Sequence, residues 1–210
     1  MVTSVPKPAA PRDADAMRER ILSAIGAMIL RDGLGGIGVN ALAREAGCDK
    51  VLIYRYFGDL QGAYAAFAAR SDFWWTLGEL TRGVDPLRLS LADAMKQILR
   101  RHAGAIRSRP VTLAVMAAEP MQRTALVVAL EEVRERRSIE LARWMAEHFP
   151  QPAGVDLEAI GMILGVAVNY LAVRAQKIRV MSGVPIQSDQ DWARIGAALD
   201  ALVDGVLPAP

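Results

Sequence analysis

Residues Val39–Phe57 read VNALAREAGCDKVLIYRYF. The small side chains of Ala43 and Ala46 let two helices approach, Gly47 can take the left-handed turn conformation, and Asp49 is a good cap for a helix that follows. These are the requirements of a helix-turn-helix: a short helix from Val39 to Ala46, the turn Gly47-Cys48-Asp49, and a second short helix from Lys50 to Phe57. Turned at about 100° per residue, the second helix puts Lys50, Val51, Tyr54 and Arg55 on one arc and Leu52, Ile53, Tyr56 and Phe57 on the other. The first arc is polar enough to face DNA. Cys48, in the turn, is open to two readings, a redox-sensitive thiol or a small buried filler.

Outward from this unit, apolar residues recur at three- and four-residue intervals almost throughout, which predicts an all-α chain with no need of strands. Upstream, Met17, Ile21, Ile25 and Met28 form one stripe of a helix that starts at about Asp13 or Asp15 and is ended by Gly33. Downstream, Gly58-Asp59 opens a long helix reaching about Leu80, with Phe67 and Trp74 one heptad apart on one face. Further helices are expected at Ser90–Arg107, Pro110–Ala118, about Gln122–His148, Asp156–Val180 and Ser188–Val206. Their stops are Gly83-Val84-Asp85-Pro86, Ser108-Arg109-Pro110, Pro120, Pro150-Gln151-Pro152 and Gly183-Val184-Pro185. The expected organisation is a flexible arm over 1–12, a three-helix head over 13–58 and a six-helix body over 59–210.

Composition narrows the function classes. With 52% hydrophobic and 23% charged residues in 210, the chain is a globular one, neither disordered nor fibrous. Its 25 Lys and Arg stand against 23 Asp and Glu, too even a balance for a protein that binds polyanions by charge alone. Residues 1–70 hold 9 basic and 7 acidic side chains and the remainder holds 16 of each, so the net charge lies in the head. One cysteine cannot form an internal disulfide, and with two histidines it is too little for a zinc cluster, so no metal or cofactor is expected and a reducing cytoplasm is the default. The opening residues, with Pro6, Pro8 and Pro11, lack the apolar stretch of a secretory signal. The most apolar run, Ile160–Val168, is about nine residues where a bilayer span needs roughly twenty, so no membrane segment is expected.

The stretch RERILSAIGAMILRDGLGGIGVNALAREAGCDKVLIYRYFGDLQGAY, residues 18–64, resembles the N-terminal domain of the tetracycline-repressor (TetR) family of bacterial transcriptional regulators. The likeness covers about residues 15–70 and is carried by Ala43 with Ala46-Gly47, the run Leu52-Ile53-Tyr54-Arg55-Tyr56-Phe57, and Gly33 at its distance upstream. It implies that Lys50–Tyr56 is a recognition helix in the major groove, that Tyr54 and Arg55 touch phosphates, and that a homodimer reads a palindromic operator with one head per half-site. Lys50 is then a candidate for guanine or phosphate, Asn40 for a base edge or phosphate, and Val51 or Leu52 for a thymine methyl. The helical wheel turns Leu52 inward, whereas the resemblance puts that position near the bases. Two residues depart from the family pattern. Gly38 stands where Thr or Ser usually caps the next helix, and Leu60 stands where a lysine usually faces the DNA backbone; both weaken the expected DNA contact.

In the body, Trp74, Trp75, Met116, Trp144, Met145 and Tyr170 could line a ligand pocket or simply be core, and His102 could anchor a ligand or be a satisfied core histidine; Trp74, His102, Met116, Trp144 and Tyr170 are the five pocket candidates. The resemblance implies a site among the long helices near the head, and the Trp and Met content favours a hydrophobic or aromatic effector. Gly161 and Gly165 form a small-residue ridge that allows close helix packing, within one subunit or between two. The resemblance implies a four-helix dimer interface built from the last two long helices, with Gly161, Gly165, Val168, Leu199 and Val203 as candidates. The charged run Glu131–Arg137 reads as a solvated helix face. An all-helical enzyme would need converging acids, bases or nucleophiles, and the chain has only His102 and His148 and no metal or nucleotide motif, so no enzyme is expected. The expected function is a ligand-responsive repressor; the alternative is a dimeric small-molecule or protein-binding module whose DNA affinity is weakened or lost.

Overall fold

A computed structural model of the chain describes residues 11–70 and 72–207. Its first helix, α1 (Pro11–Asp32), starts two residues earlier than the nearer of the two aspartates, so Asp13 lies in the first turn and not at the cap. The expected arm over 1–12 therefore has its last two residues in α1, and the rest lies outside the described residues. Ile21, Ile25 and Met28 form the buried stripe, and Gly33 ends the helix at φ +78° with its N–H donating to the Ile29 carbonyl. Then come α2 (Val39–Ala46) and α3 (Lys50–Phe57), with the boundaries expected from sequence. Gly47 sits in the left-handed region, and Asp49 caps α3 by accepting from the Val51 N–H at 2.8 Å.

The single long helix expected from Asp59 to Leu80 is two helices, α4 (Leu60–Ala68) and α5 (Leu77–Thr81), with the described residues between them non-helical. Packing causes the break: Phe73, Trp74 and Trp75 are all buried, and three consecutive side chains of a straight helix spread over about 200°, too wide to enter one core. Thr112 donates its hydroxyl to the Phe73 carbonyl, and Thr76 starts α5 afresh by capping Glu79. Phe67 and Trp74 thus share a core without sharing a helix.

The body continues with α6 (Leu91–Arg107), α7 (Pro110–Ala118), α8 (Ala125–His148), α9 (Leu157–Ala175) and α10 (Asp189–Val206). Ser90, Thr124, Asp156 and Ser188 cap α6, α8, α9 and α10 through side-chain oxygens, which is why their starts are sharp. The end of α9 was expected at Val180, and strands were expected nowhere. Instead α9 stops at Ala175, and β1 (Val180–Met181) pairs antiparallel with β2 (Val184–Pro185). Ser182 and Gly183 both have positive φ, which a two-residue hairpin turn requires.

Among the described residues seven helices therefore make the body where six were expected, and α6 is its axis, packed by α5, α9 and α10. Head and body share one core, with α1 on α7 and α3 on α4. One helix among the described residues, α9, is long and apolar enough to cross a membrane, with a mean hydropathy of 1.5 over 19 residues, so the nine-residue run understated it.

Candidate nucleic-acid interface and regulatory body

The eight residues of α3 present two chemically distinct sides. Ile53 is fully buried, and Leu52, Tyr56 and Phe57 are half-buried. Lys50, Val51, Tyr54 and Arg55 are exposed, Val51 at 62% and Tyr54 at 48%, and Asn40 is exposed at the start of α2. Leu52 takes the position that the wheel gives it. An exposed strip of two cations, a phenol and an aliphatic side chain suits a groove lined by phosphates and base edges.

The flanks of this strip depart from an ideal anion site. Gly38 begins α2 with no side-chain capping bond. Leu60 is half-buried against the core, and Asp59 caps α4 by accepting from the Gly62 N–H at 2.7 Å. Cys48 is half-buried, and burial pushes its thiol above the usual range, which disfavours the reactive thiolate.

How α3 is held was not legible in the apolar periodicity. Gly62 is required by close approach: a Cβ there would stand 1.9 Å from the Phe57 carbonyl oxygen, so α4 begins directly against the end of α3. Tyr64, on the buried side of α4, donates its hydroxyl to the carbonyl of Ile37, just ahead of α2. Arg70, beyond the end of α4, pairs with Glu19 of α1 at 2.8 Å. These two contacts tie α4 and the residues after it to the loop that leads into the helix-turn-helix and to α1.

Of the five pocket candidates, the structure brings two together. Trp74 and His102 meet edge to face at 6.1 Å, and Trp75, next to Trp74 in the sequence and open to the same two readings, completes the cluster at 5.9 Å from His102 and 5.7 Å from Trp74. His102 lies 2.9 Å from the Asn169 Oδ1 of α9, and burial lowers its pKa from 6.5 to about 4, so the imidazole is neutral. The indole N–H groups of both tryptophans are buried with no acceptor among the described residues. Arg134 lies 5.7 Å from the centre of the Trp74 ring and pairs with Glu119 at 2.8 Å, so the run Glu131–Arg137 is not wholly a solvated face: Arg134 and Val133 turn inward.

Met116 is buried on α7. Trp144 stacks on His148 at 4.6 Å, and Tyr170 is 53% exposed. A cleft of about 220 Å³ opens between α6 and α10, over Leu99, Ala103, Gly104, Arg107, Trp192 and Gly196. None of the five candidates lines it.

The proposed dimer residues fall on the inner side of their helices. Val168, Leu199 and Val203 are buried in this chain's own core, and Gly161 and Gly165 are half-buried, with a Cβ at Gly161 reaching the Met95 side chain of α6 at 3.9 Å. The opposite side of α9 is apolar and open: Met162 is 60% exposed, Ile163 59% and Val166 55%, with Tyr170 one turn on. Leu202 and Val206 are the exposed apolar residues of α10. Among the described residues, no group of three or more His, Cys, Asp and Glu side chains is placed to hold a metal ion.

No protein-family model matches the chain, and no curated protein matches it. Solved structures do. A TetR-like transcriptional regulator from Rhodococcus sp. RHA1 has a TM-score of 0.60 at 21% identity, covering 97% of this chain and 100% of that one. NalD, the secondary repressor of the MexAB-OprM multidrug efflux pump in Pseudomonas aeruginosa, has a TM-score of 0.64 at 16% identity, with 91% and 98% covered. FadR from Bacillus subtilis, solved with stearoyl-CoA, has a TM-score of 0.60 at 14% identity, with 88% and 96% covered. From head to body, this chain has the all-α fold of TetR-family transcriptional regulators.

Proposed function

We propose that this chain is a ligand-responsive transcriptional regulator, a repressor that binds a palindromic operator as a homodimer in the cytoplasm and leaves it when a small hydrophobic effector enters the body. The observation that carries this reading is the exposed strip of α3, held on a capped helix whose other side is buried. Tyr54 and Arg55 contact phosphates, Lys50 and Asn40 a base edge or phosphate, and Val51 a thymine methyl. Leu52 reaches the groove only with its outer edge. With a head excess of two cations, specificity rests on these few contacts.

The homodimer reading is supported by the open apolar side of α9, where Met162, Ile163, Val166 and Tyr170 would be covered by a second copy. An effector seated at the Trp74–Trp75–His102 cluster meets apolar rings and two indole donors, chemistry that suits an apolar molecule carrying a hydrogen-bond acceptor. A ligand there that favours one arrangement of α4 moves the Tyr64 tether and with it the spacing of the two heads. The comparisons lend analogy, one similar fold being named a repressor and another solved with a fatty acyl thioester.

Gly38 without a capping side chain and Leu60 without a charge favour the second reading, a dimeric small-molecule or protein-binding module with little DNA affinity. Selection of binding sites from random duplex DNA, with Tyr54→Ala and Lys50→Ala beside the wild type, separates the two. The regulator yields a palindrome whose enrichment collapses in both variants, and the module yields no enriched site even at low salt.

A further inference from the structure

Two arginines of α1 end on the backbone of the helix-turn-helix. Arg20 donates from Nε to the Ala46 carbonyl at 2.9 Å and from Nη2 to the Gly47 carbonyl at 3.1 Å. Arg18 donates from Nη1 to the Tyr56 carbonyl at 2.6 Å, and its guanidinium lies over the Phe57 ring, 4.7 Å from the centroid. Each target is the C-terminal end of a short helix. The last carbonyls of a helix have no partner within it and carry the negative end of its dipole, so a guanidinium there satisfies orphan acceptors and adds charge–dipole attraction. The fork of Arg20 suits two adjacent carbonyls, which the single point charge of a lysine would not.

Support of this kind matters for helices of eight residues. Such a segment is far too short to hold itself, and α2 has only Gly38 at its N-terminus. The turn between α2 and α3 passes through Gly47, the residue with the fewest backbone restraints. Arg20 grips that residue and the one before it, while Arg18 grips the far end of α3, both from one rigid helix.

We infer that Arg18 and Arg20 are positioning residues for DNA recognition: α1 clamps the C-terminal ends of α2 and α3 and so fixes the angle at which Lys50, Val51, Tyr54 and Arg55 are presented. The inference rests on the regulator reading above. Without the clamp, a smaller fraction of molecules holds α3 at the binding angle, and the apparent Kd rises in inverse proportion to that fraction. No phosphate contact is lost, because the donors concerned face the protein's own carbonyls.

The test uses the full chain and the operator recovered by selection. Arg20→Met keeps the aliphatic stem and loses the donors, Arg20→Lys keeps the charge and loses the fork, Arg18→Met tests the second grip, and Arg55→Ala is the phosphate-contact control. Kd is measured at four salt concentrations, and the folded fraction of each variant is measured by circular dichroism in the same buffers. Arg20→Met should raise Kd about tenfold, the equivalent of one charge-assisted hydrogen bond, and Arg20→Lys should rescue part of it. The slope of log Kd on log salt should be unchanged in both, while Arg55→Ala lowers it by about one.

A slope reduced by about one in Arg20→Met overturns the inference in favour of a direct phosphate contact. An unchanged Kd in both Arg20→Met and Arg18→Met, or a rise accounted for by unfolded protein, overturns it as well. If the wild type recovers no operator, the regulator reading fails on its own account. The clamp is then read from amide exchange over Val39–Phe57, which Arg20→Met accelerates if the clamp holds and leaves unchanged if it does not.

Discussion

Lowering the pH should loosen the body through one buried imidazole. His102 is 6% exposed, ringed by Trp74 and Trp75 and bonded to Asn169, and its pKa falls from 6.5 in an unfolded chain to about 4. Above pH 6.5 it is neutral in both states and costs nothing. Between 6.5 and about 4 the unfolded chain takes up a proton that the folded chain refuses, so stability falls as the pH falls through that window; below about 4 both states are protonated and the loss stops. The full difference of about 2.5 pH units corresponds to about 3 kcal/mol, of which about 2 kcal/mol is lost by pH 5. Asp72, Asp93 and Asp191 are held below the usual carboxylate range, chiefly by the Arg70 side chain, the Lys96 side chain and the Ser188 backbone N–H respectively. Their contributions disappear only as the pH falls toward and below 3.8, outside the upper part of the window. Urea unfolding followed by tryptophan fluorescence at pH 7.5 and pH 5.0 measures the loss directly, since Trp74 and Trp75 report from beside the imidazole. His102→Gln keeps a donor for Asn169 but does not titrate, so its stability should change little over the same interval. Equal losses in wild type and variant, or no loss in the wild type, would refute the reasoning.

Two further outcomes test how the site is built. Gly62→Ala places a methyl group 1.9 Å from the Phe57 carbonyl oxygen, a backbone atom that cannot swing aside, so a destabilisation of about 3 kcal/mol is expected in thermal unfolding; an unchanged melting temperature would mean that α4 does not start against α3. Val166→Asp puts a charge on the open side of α9 and should give a monomer in analytical ultracentrifugation with unchanged helix content, whereas a persistent dimer would place the interface elsewhere.

The head was legible in the sequence because its determinants are local. Gly47 and Asp49 mark a left-handed turn and a helix cap whatever surrounds them, and the alternation of Ile53 with the Tyr54-Arg55 pair sorts α3 into two sides by helical geometry alone. The break between α4 and α5 escaped the apolar period because Phe67 and Trp74 keep a heptad spacing across it. The signals present were Thr76-Leu77-Gly78-Glu79, a helix-start pattern, and three consecutive large aromatics that cannot share one face of a straight helix. Arg18 and Arg20 gave no sign of their role, since a cation on a polar helix face looks the same whether it ends in water or on a carbonyl.

The last helices mark the boundary between the two kinds of information. The amino-acid sequence alone determined that an apolar helix with a ridge of small residues begins at about Asp156, because composition and period are properties of the segment itself, although it put the end at Val180 where the helix stops at Ala175. Which side of that helix is core was decided by tertiary structure. Apolar side chains surround α9, so its period names no inner face; the choice follows from α6, whose His102 takes Asn169 and whose Met95 lies against Gly161. Those contacts turn Gly161, Gly165 and Val168 inward and leave Met162, Ile163, Val166 and Tyr170 outside. Asn169 supplies one half of a polar contact, and its partner His102 on the neighbouring α6 fixes the rotation about the helix axis, which the apolar period of α9 leaves open.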